Sequence, residues 1–254
     1  MALRTILRSR GAMTRLRPAG SIVVLQSVKR VILPVAVLLA VIVGLGLLVT
    51  KVLYDHWPFT AEDAFNRELA GDRTESWNSV SLVFSTLAST PVIIAVTVVV
   101  AVILRATLRR WREPLFLAAA VTAQAVVFFF ATLIIDRSRP DVPKMDESPP
   151  TSSFPSGHTS AAVALYAGLA LLLALLARRT WLKVLCWALI LVPIAVGLAR
   201  MYRGMHHPTD VLASFLNGGV CIAVIARSVL DRGRAWGGRT RSTALTAARQ
   251  ALSH

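Results

Sequence analysis

The sequence predicts an all-α polytopic membrane protein, a bundle of six transmembrane helices with its functional groups at the outer membrane face. Three observations carry this. Of 254 residues, 55% are apolar and only 16% charged, where a soluble domain carries about a quarter charged residues. Six long runs contain no Asp, Glu, Lys or Arg. The net charge of +15 is concentrated in alternate segments between those runs. Disorder is excluded by the apolar content.

Val31–Thr50 has 20 residues, Ser79–Leu104 has 26, Pro114–Ile135 has 22 and Thr159–Ala177 has 19. All four are long enough for a helix to cross the hydrocarbon core, which takes about 20 residues. Val184–Ala199 and Val211–Ala226 have 16 each. Polar ends extend both, with Trp181 and Lys183 suited to the interface. Runs such as Ala161–Ala177 lack the alternation that a transmembrane β-barrel requires. The first run follows a basic segment, but it exceeds the usual h-region of a signal peptide and is followed by a poor cleavage site, Lys51-Val52-Leu53-Tyr54. It is read as an uncleaved anchor.

Charge then sets orientation. Residues 1–30, Arg105–Glu113, Arg178–Lys183 and the tail from Arg227 together hold 20 basic and 2 acidic residues. The other side holds 8 basic and 11 acidic ones. The positive-inside rule places both termini in the cytoplasm of a multi-pass protein of the plasma (inner) membrane. The basic balance is thereby explained by topology, and nucleic acid is not an expected partner. Three regions follow: a basic N-terminal segment 1–30, a transmembrane domain 31–230 and a basic tail 231–254. The ends 1–28 and 231–254 are expected to be poorly ordered and to touch anionic lipid. Cys186 and Cys221 fall within the fifth and sixth spans and are read as packing residues.

Three segments face outward. Asp55–Asn78 has six acids and two Arg, and includes an amphipathic stretch, Ala61–Leu69, read as a surface connector or rim. Asp136–His158 carries Arg137, Arg139-Pro140, the loop acids Asp141, Asp146 and Glu147, and Pro155-Ser156-Gly157-His158. A Pro-Ser-Gly turn entering a helix presents free backbone N–H groups at a positive helix end, a ready anion site. Ser156 offers a hydroxyl and Gly157 a close approach to the backbone. Taken alone, the turn reads first as a helix start with Ser as N-cap. The third segment contains Arg200, His206, His207 and Asp210. His206 and Asp210 lie four apart, so on a helix they share a face. A carboxylate on one imidazole nitrogen makes the other a better base or nucleophile. Arg suits bidentate phosphate binding, and charges at this depth suggest function. The assembled groups fit phosphoryl transfer with no metal ligand set and no cofactor.

These residues resemble the type 2 phosphatidic acid phosphatase superfamily of membrane lipid phosphatases, related in its core to vanadium-dependent haloperoxidases. The family motifs are Lys-x6-Arg-Pro, Pro-Ser-Gly-His and Ser-Arg-x5-His-x3-Asp. The chain matches them as Arg139-Pro140, as Pro155-Ser156-Gly157-His158, and as Arg200, His206 and Asp210 at the required spacing. The resemblance implies that His206 attacks phosphorus and forms a phosphohistidine. Asp210 would hold His206 in its reactive tautomer. His158 would protonate the leaving oxygen and then activate water. Arg139, Arg200, Ser156 and the Gly157 backbone would cradle the phosphate, without a metal. His207 breaks the spacing and is read as a neighbour. The chain departs from the family at Thr132, where the family has Lys, and at Ala199, where it has Ser. Arg137 or Lys144 are the candidates to replace the missing cation.

The outer segments are too short to form a core of their own, so the substrate is expected to be a membrane lipid bearing phosphate or diphosphate. A polyprenyl diphosphate is favoured, then phosphatidate or phosphatidylglycerophosphate, and no obligate protein partner is implied. The competing reading is a non-catalytic protein that binds or moves lipid phosphate on the same fold, motivated by Thr132.

Overall fold

The computed structural model describes residues 19–147 and 151–230, with side chains from residue 29 onward. The tail 231–254 and the N-terminal part of segment 1–30 lie outside the described residues. The described chain is helical without strands. Six of its helical stretches are long and apolar enough to cross a membrane.

Helix α1 covers Ala19–Leu47 and runs into a π-helical turn ending at Val52. It therefore begins inside the segment read from sequence as a disordered basic end. α2 (Thr60–Gly71) is the amphipathic stretch. α3 (Glu75–Leu87) and α4 (Thr90–Leu108) divide what the sequence suggested was one span. Pro91 lies in the first turn of α4. Lacking an N–H, it cannot continue the ladder of α3, and Ser89 adopts an extended conformation as the N-cap. Only α4 has the length and hydropathy of a span.

α5 (Arg112–Ile134) is the third span. The fourth consists of α6 (Gly157–Ala162), a π-helical turn and α7 (Gly168–Leu176). α8 (Thr180–Trp187), a 3-10 turn and α9 (Leu191–Tyr202) make the fifth. The tightened turn lies just ahead of Pro193, which has no N–H to give to the preceding turn. α10 (Pro208–Ile225) and a π-helical turn make the sixth.

The fourth span is the most buried of the six. Ala162, Val163 and Leu165 meet Phe116, Leu117 and Ala120 of α5, together with Val196 and Ile222. A second cluster joins Leu38 and Ile42 of α1 to Val127, Ala131, Phe154 and Cys221. Leu33, Val98, Val102, Leu133, Val184 and Leu191 are exposed on the outside of the bundle. That is an apolar surface unsuited to water but matched to hydrocarbon. The hydroxyls of Thr97 and Thr107 on α4 donate to carbonyls of their own helix at 2.7 and 2.8 Å, which removes their cost within a membrane.

Candidate active site

The site lies at one end of the bundle, where α3, α6, α9 and α10 meet the 135–156 segment. Residues 203–207 link α9 to α10. Gly204 turns this link with φ +72°, a left-handed conformation that favours glycine. The turn puts the Met205 carbonyl 2.8 Å from Nη1 of Arg139, which donates to it, and buries His206. Nδ1 of His206 is 2.7 Å from the carbonyl oxygen of Ser153. A carbonyl only accepts, so Nδ1 carries the proton and Nε2 carries a lone pair. Burial, reinforced by the charges of Arg200 and Arg139 and opposed by Asp210, pushes the His206 pKa down to about 4. Its imidazole is therefore neutral near pH 7, the form a nucleophile needs.

Asp210 is fully buried. The sequence reading gave it the tautomer of His206, but its Oδ2 lies 3.7 Å from Nδ1, beyond hydrogen-bond range. That oxygen instead accepts the backbone N–H of His207 at 2.8 Å. Oδ1 accepts from Nη1 of Arg137 at 2.5 Å. Arg137 continues through Nη2 to Glu62 at 2.7 Å, and through Nη1 to the hydroxyl of Thr209. Glu62 also accepts the Thr209 N–H at 2.8 Å. A buried carboxylate–guanidinium–carboxylate chain thus runs from α2 to the start of α10. Such a chain compensates charges that would be costly alone. His207 turns its Nε2 toward Asp63, 3.2 Å away, and stays a neighbour.

Ser156 is the N-cap of α6, its hydroxyl accepting from Thr159 N–H and Oγ1 at 3.4 and 3.0 Å. Its own N–H donates to the Asp210 carbonyl, tying the two motif segments together. Gly157 packs closely: a Cβ there would lie 2.8 Å from the Phe128 ring, which would have to shift. His158 follows, half-buried, and within electrostatic reach of Arg200, His206, Asp146 and Arg139. Arg139 is half-buried. Burial lowers its pKa from the usual arginine value, with Asp210 opposing, yet a guanidinium remains charged at any working pH.

Arg200 is buried at the end of α9. Its Nη1 donates to Ser85 Oγ at 2.8 Å and to Asp146 Oδ2 at 2.5 Å. Arg203, one turn on, grips the other oxygen of Asp146 through Nε and Nη2 at 2.8 and 2.6 Å. Burial pushes the Asp146 pKa up, but Arg203, Arg200 and Ser85 outweigh it and hold the carboxyl below its usual range.

The structure therefore gathers Arg139, Ser156, Gly157, His158, Arg200, His206 and Asp210 at one end of the bundle. It does not bring the proposed substitutes for the missing cation there as free groups. Arg137 is engaged by Glu62 and Asp210. Lys144 is exposed. Thr132 turns its hydroxyl back to the Phe129 carbonyl at 2.9 Å, and Ala199 is buried in α9. Glu62, Ser85, Ser153 and Arg203 were not singled out from sequence. Arg203 had one signal, its spacing of three from Arg200 on a helix. Among the described residues, no group of three or more His, Cys, Asp or Glu side chains is arranged to hold a metal ion.

The sequence profile of the PAP2 superfamily matches residues 88–234, more than half of the chain. The bacitracin transport permease protein BcrC of Bacillus licheniformis is 35% identical over 89 residues, 35% of this chain and 36% of that one. The match thus spans about a third of that relative's length. Among solved structures, a transmembrane PAP2-type phosphatidylglycerolphosphate phosphatase from Bacillus subtilis superposes with a TM-score of 0.64 at 19% identity, covering 78% of this chain and 94% of that one. LpxE of Aquifex aeolicus gives 0.53 at 21% identity, covering 67% and 97%. At these identities the superpositions speak for the fold.

Proposed function

This chain belongs to the PAP2 superfamily, and from that premise we propose that it is an integral membrane lipid phosphatase working through a phosphohistidine. The observation that carries the reading is His206: neutral, with Nδ1–H held by the Ser153 carbonyl and the two arginines of the motifs close by. In the proposed reaction Nε2 of His206 bonds to phosphorus as the bond to the leaving oxygen breaks. His158 gives that oxygen its proton. His158 then takes a proton from water, whose oxygen attacks phosphorus. The P–N bond breaks, and phosphate leaves with His206 restored. Arg139, Arg200 and the N–H groups at the start of α6 neutralise charge on the phosphoryl oxygens. Asp210 sets a negative charge near the imidazole as it becomes cationic. Arg137 acts on Asp210, not on phosphate. No step calls on a metal.

The positive-inside distribution supports cytoplasmic termini and a site facing outside. A lipid head group reaches that depth while its tails stay in hydrocarbon. A polyprenyl diphosphate suits this orientation best, since carrier recycling leaves it on the outer leaflet. Phosphatidate and phosphatidylglycerophosphate follow; the name of the Bacillus subtilis enzyme supports the latter as a class. The alternative, a lipid-phosphate binding or lipid-moving protein, draws on the absence of a lysine at Thr132.

The test is phosphate release from a panel of lipid phosphates and diphosphates in the presence of chelator, for the wild type and His206→Ala. Release by the wild type alone supports the reading. Binding without release in both moves the conclusion to the binding protein.

A further inference from the structure

Arg200 is only 4% exposed, yet among the described residues its Nε–H has no hydrogen-bond partner. A buried donor left unpaired is costly, and more so on a charged group. No bond to Nη2 occurs among the described residues either. The two nitrogens form one edge of the guanidinium, the side-on fork that meets two oxygens of a phosphate. The opposite corner, Nη1, is doubly held by Ser85 and Asp146. Ser85 also donates to the same Asp146 oxygen at 3.1 Å, closing a three-membered polar ring.

The holder is itself fixed. Arg203 grips Asp146 Oδ1 with two nitrogens. Its Nη1 reaches Ser81 Oγ at 3.1 Å and the Asn78 carbonyl at 3.3 Å. The backbone of Met145 exchanges bonds with Arg203, N–H to its carbonyl and carbonyl from its Nη2, both 3.1 Å. Ser81 and Ser85 are four apart on α3, hence on one face. Asp146 thus belongs to a bracket built on α3 and α9, even though it lies in a loop.

We propose that Asp146 and Ser85 are positioning residues that anchor Nη1 of Arg200 and turn its free Nε/Nη2 edge to the substrate phosphate. This rests on the phosphatase reading above. The bracket also shares one negative charge between two arginines, so a net positive charge remains for the substrate. A misdirected guanidinium loses the bidentate fit on which its affinity depends.

The test uses full-length protein in detergent. Binding of inorganic phosphate is measured by calorimetry, beside turnover of the lipid phosphate panel, for wild type, Arg200→Ala, Asp146→Ala, Asp146→Asn and Ser85→Ala. Asp146→Ala is expected to weaken phosphate binding about tenfold, in the direction of Arg200→Ala, since it removes a charge-assisted bond that holds the guanidinium in place. Asp146→Asn keeps one acceptor and recovers part of the loss, and Ser85→Ala loses about threefold. A purely structural role would lower the melting temperature without this graded order in affinity. Wild-type affinity in Asp146→Ala overturns the assignment. Tighter binding overturns it as well, and makes Asp146 a competitor of phosphate for Arg200. A wild type that binds no phosphate also overturns it. A wild type that binds phosphate but turns over no lipid overturns the phosphatase reading alone, and the binding series still decides the role of Asp146.

Discussion

Nδ1 of His206 lies 2.7 Å from the carbonyl oxygen of Ser153, closer by an ångström than it lies to Asp210 Oδ2 at 3.7 Å. The carbonyl therefore fixes the tautomer, and the carboxylate contributes charge. Ser153 is rigid enough for this task. Its N–H donates to the Arg137 carbonyl at 2.9 Å and its hydroxyl to the Ser138 carbonyl at 2.8 Å.

This division of labour predicts unequal losses. His206→Ala removes the proposed nucleophile and is expected to lower kcat by about 10⁴-fold or more, the scale seen for such groups. Asp210→Asn keeps the shape and leaves the Ser153 contact intact. It is expected to lose about 10²-fold, an electrostatic contribution. Steady-state rates on one lipid phosphate compare the two. An Asp210→Asn variant as inactive as His206→Ala would return the tautomer role to the carboxylate.

The Glu62–Arg137–Asp210 chain predicts that an amphipathic surface helix contributes to stability. Both side-chain pairs are buried, with exposures of 7–8% for Arg137 and Glu62 and 0% for Asp210. Glu62→Ala leaves Arg137 half-paired and two groups of Thr209 without their acceptor. Removing one partner of a buried ion pair costs about 3–5 kcal/mol, so the melting temperature and the rate are both expected to fall. Lys144→Ala, at an exposed position, is expected to stay within about 0.5 kcal/mol of wild type. Thermal unfolding in detergent checks both.

Gly204→Ala is expected to damage the site through its backbone. A left-handed residue with a Cβ costs about 1–2 kcal/mol, and here the Cβ would lie 2.7 Å from Val142 Cγ2. The turn must shift, and it carries both the Met205 carbonyl that holds Arg139 and His206 itself. Small displacements of catalytic groups cost up to about 10²-fold, so an activity loss exceeding the stability loss is the expected signature.

Much of this was legible in the sequence because the membrane makes composition speak. A charge-free run of sufficient length has few other solutions, and the motif spacings bring His158, His206 and the arginines to one end. The break between α3 and α4 was harder to read, since Ser79–Leu104 is uniformly uncharged and Pro91 is tolerated in a span. What was hidden is long-range pairing. Glu62 meets Arg137 across 75 residues, and Ser85 meets Arg200 across 115. Nothing local in an acidic connector or a serine on an apolar helix announces such partners. The Ser153 contact is made by a backbone carbonyl, which carries no residue signature at all.

The depressed pKa of His206 makes the last prediction, and its sign follows from linkage. Burial holds the folded-state value at about 4, while an unfolded histidine titrates near about 6.5. Between these values the unfolded chain binds a proton that the folded chain refuses, so stability falls as the solution is acidified. The contribution is complete above about pH 6.5 and is lost as pH drops toward about 4. The Asp146 carboxyl, held below its usual range by Arg203 and Arg200, keeps its ion pairs in this window and adds little to the slope. Melting temperatures of wild type and His206→Gln, measured from pH 7 to 4, isolate the effect. The wild-type curve is expected to fall more steeply, because the variant has no group to titrate at that position. In the same window His206, the proposed nucleophile, stays neutral, so the acid limb of kcat/KM owed to it is expected near about pH 4 instead of near about 6.5. Parallel stability curves would mean that the imidazole ring titrates as if it were in water, and that its burial does not protect the free nitrogen.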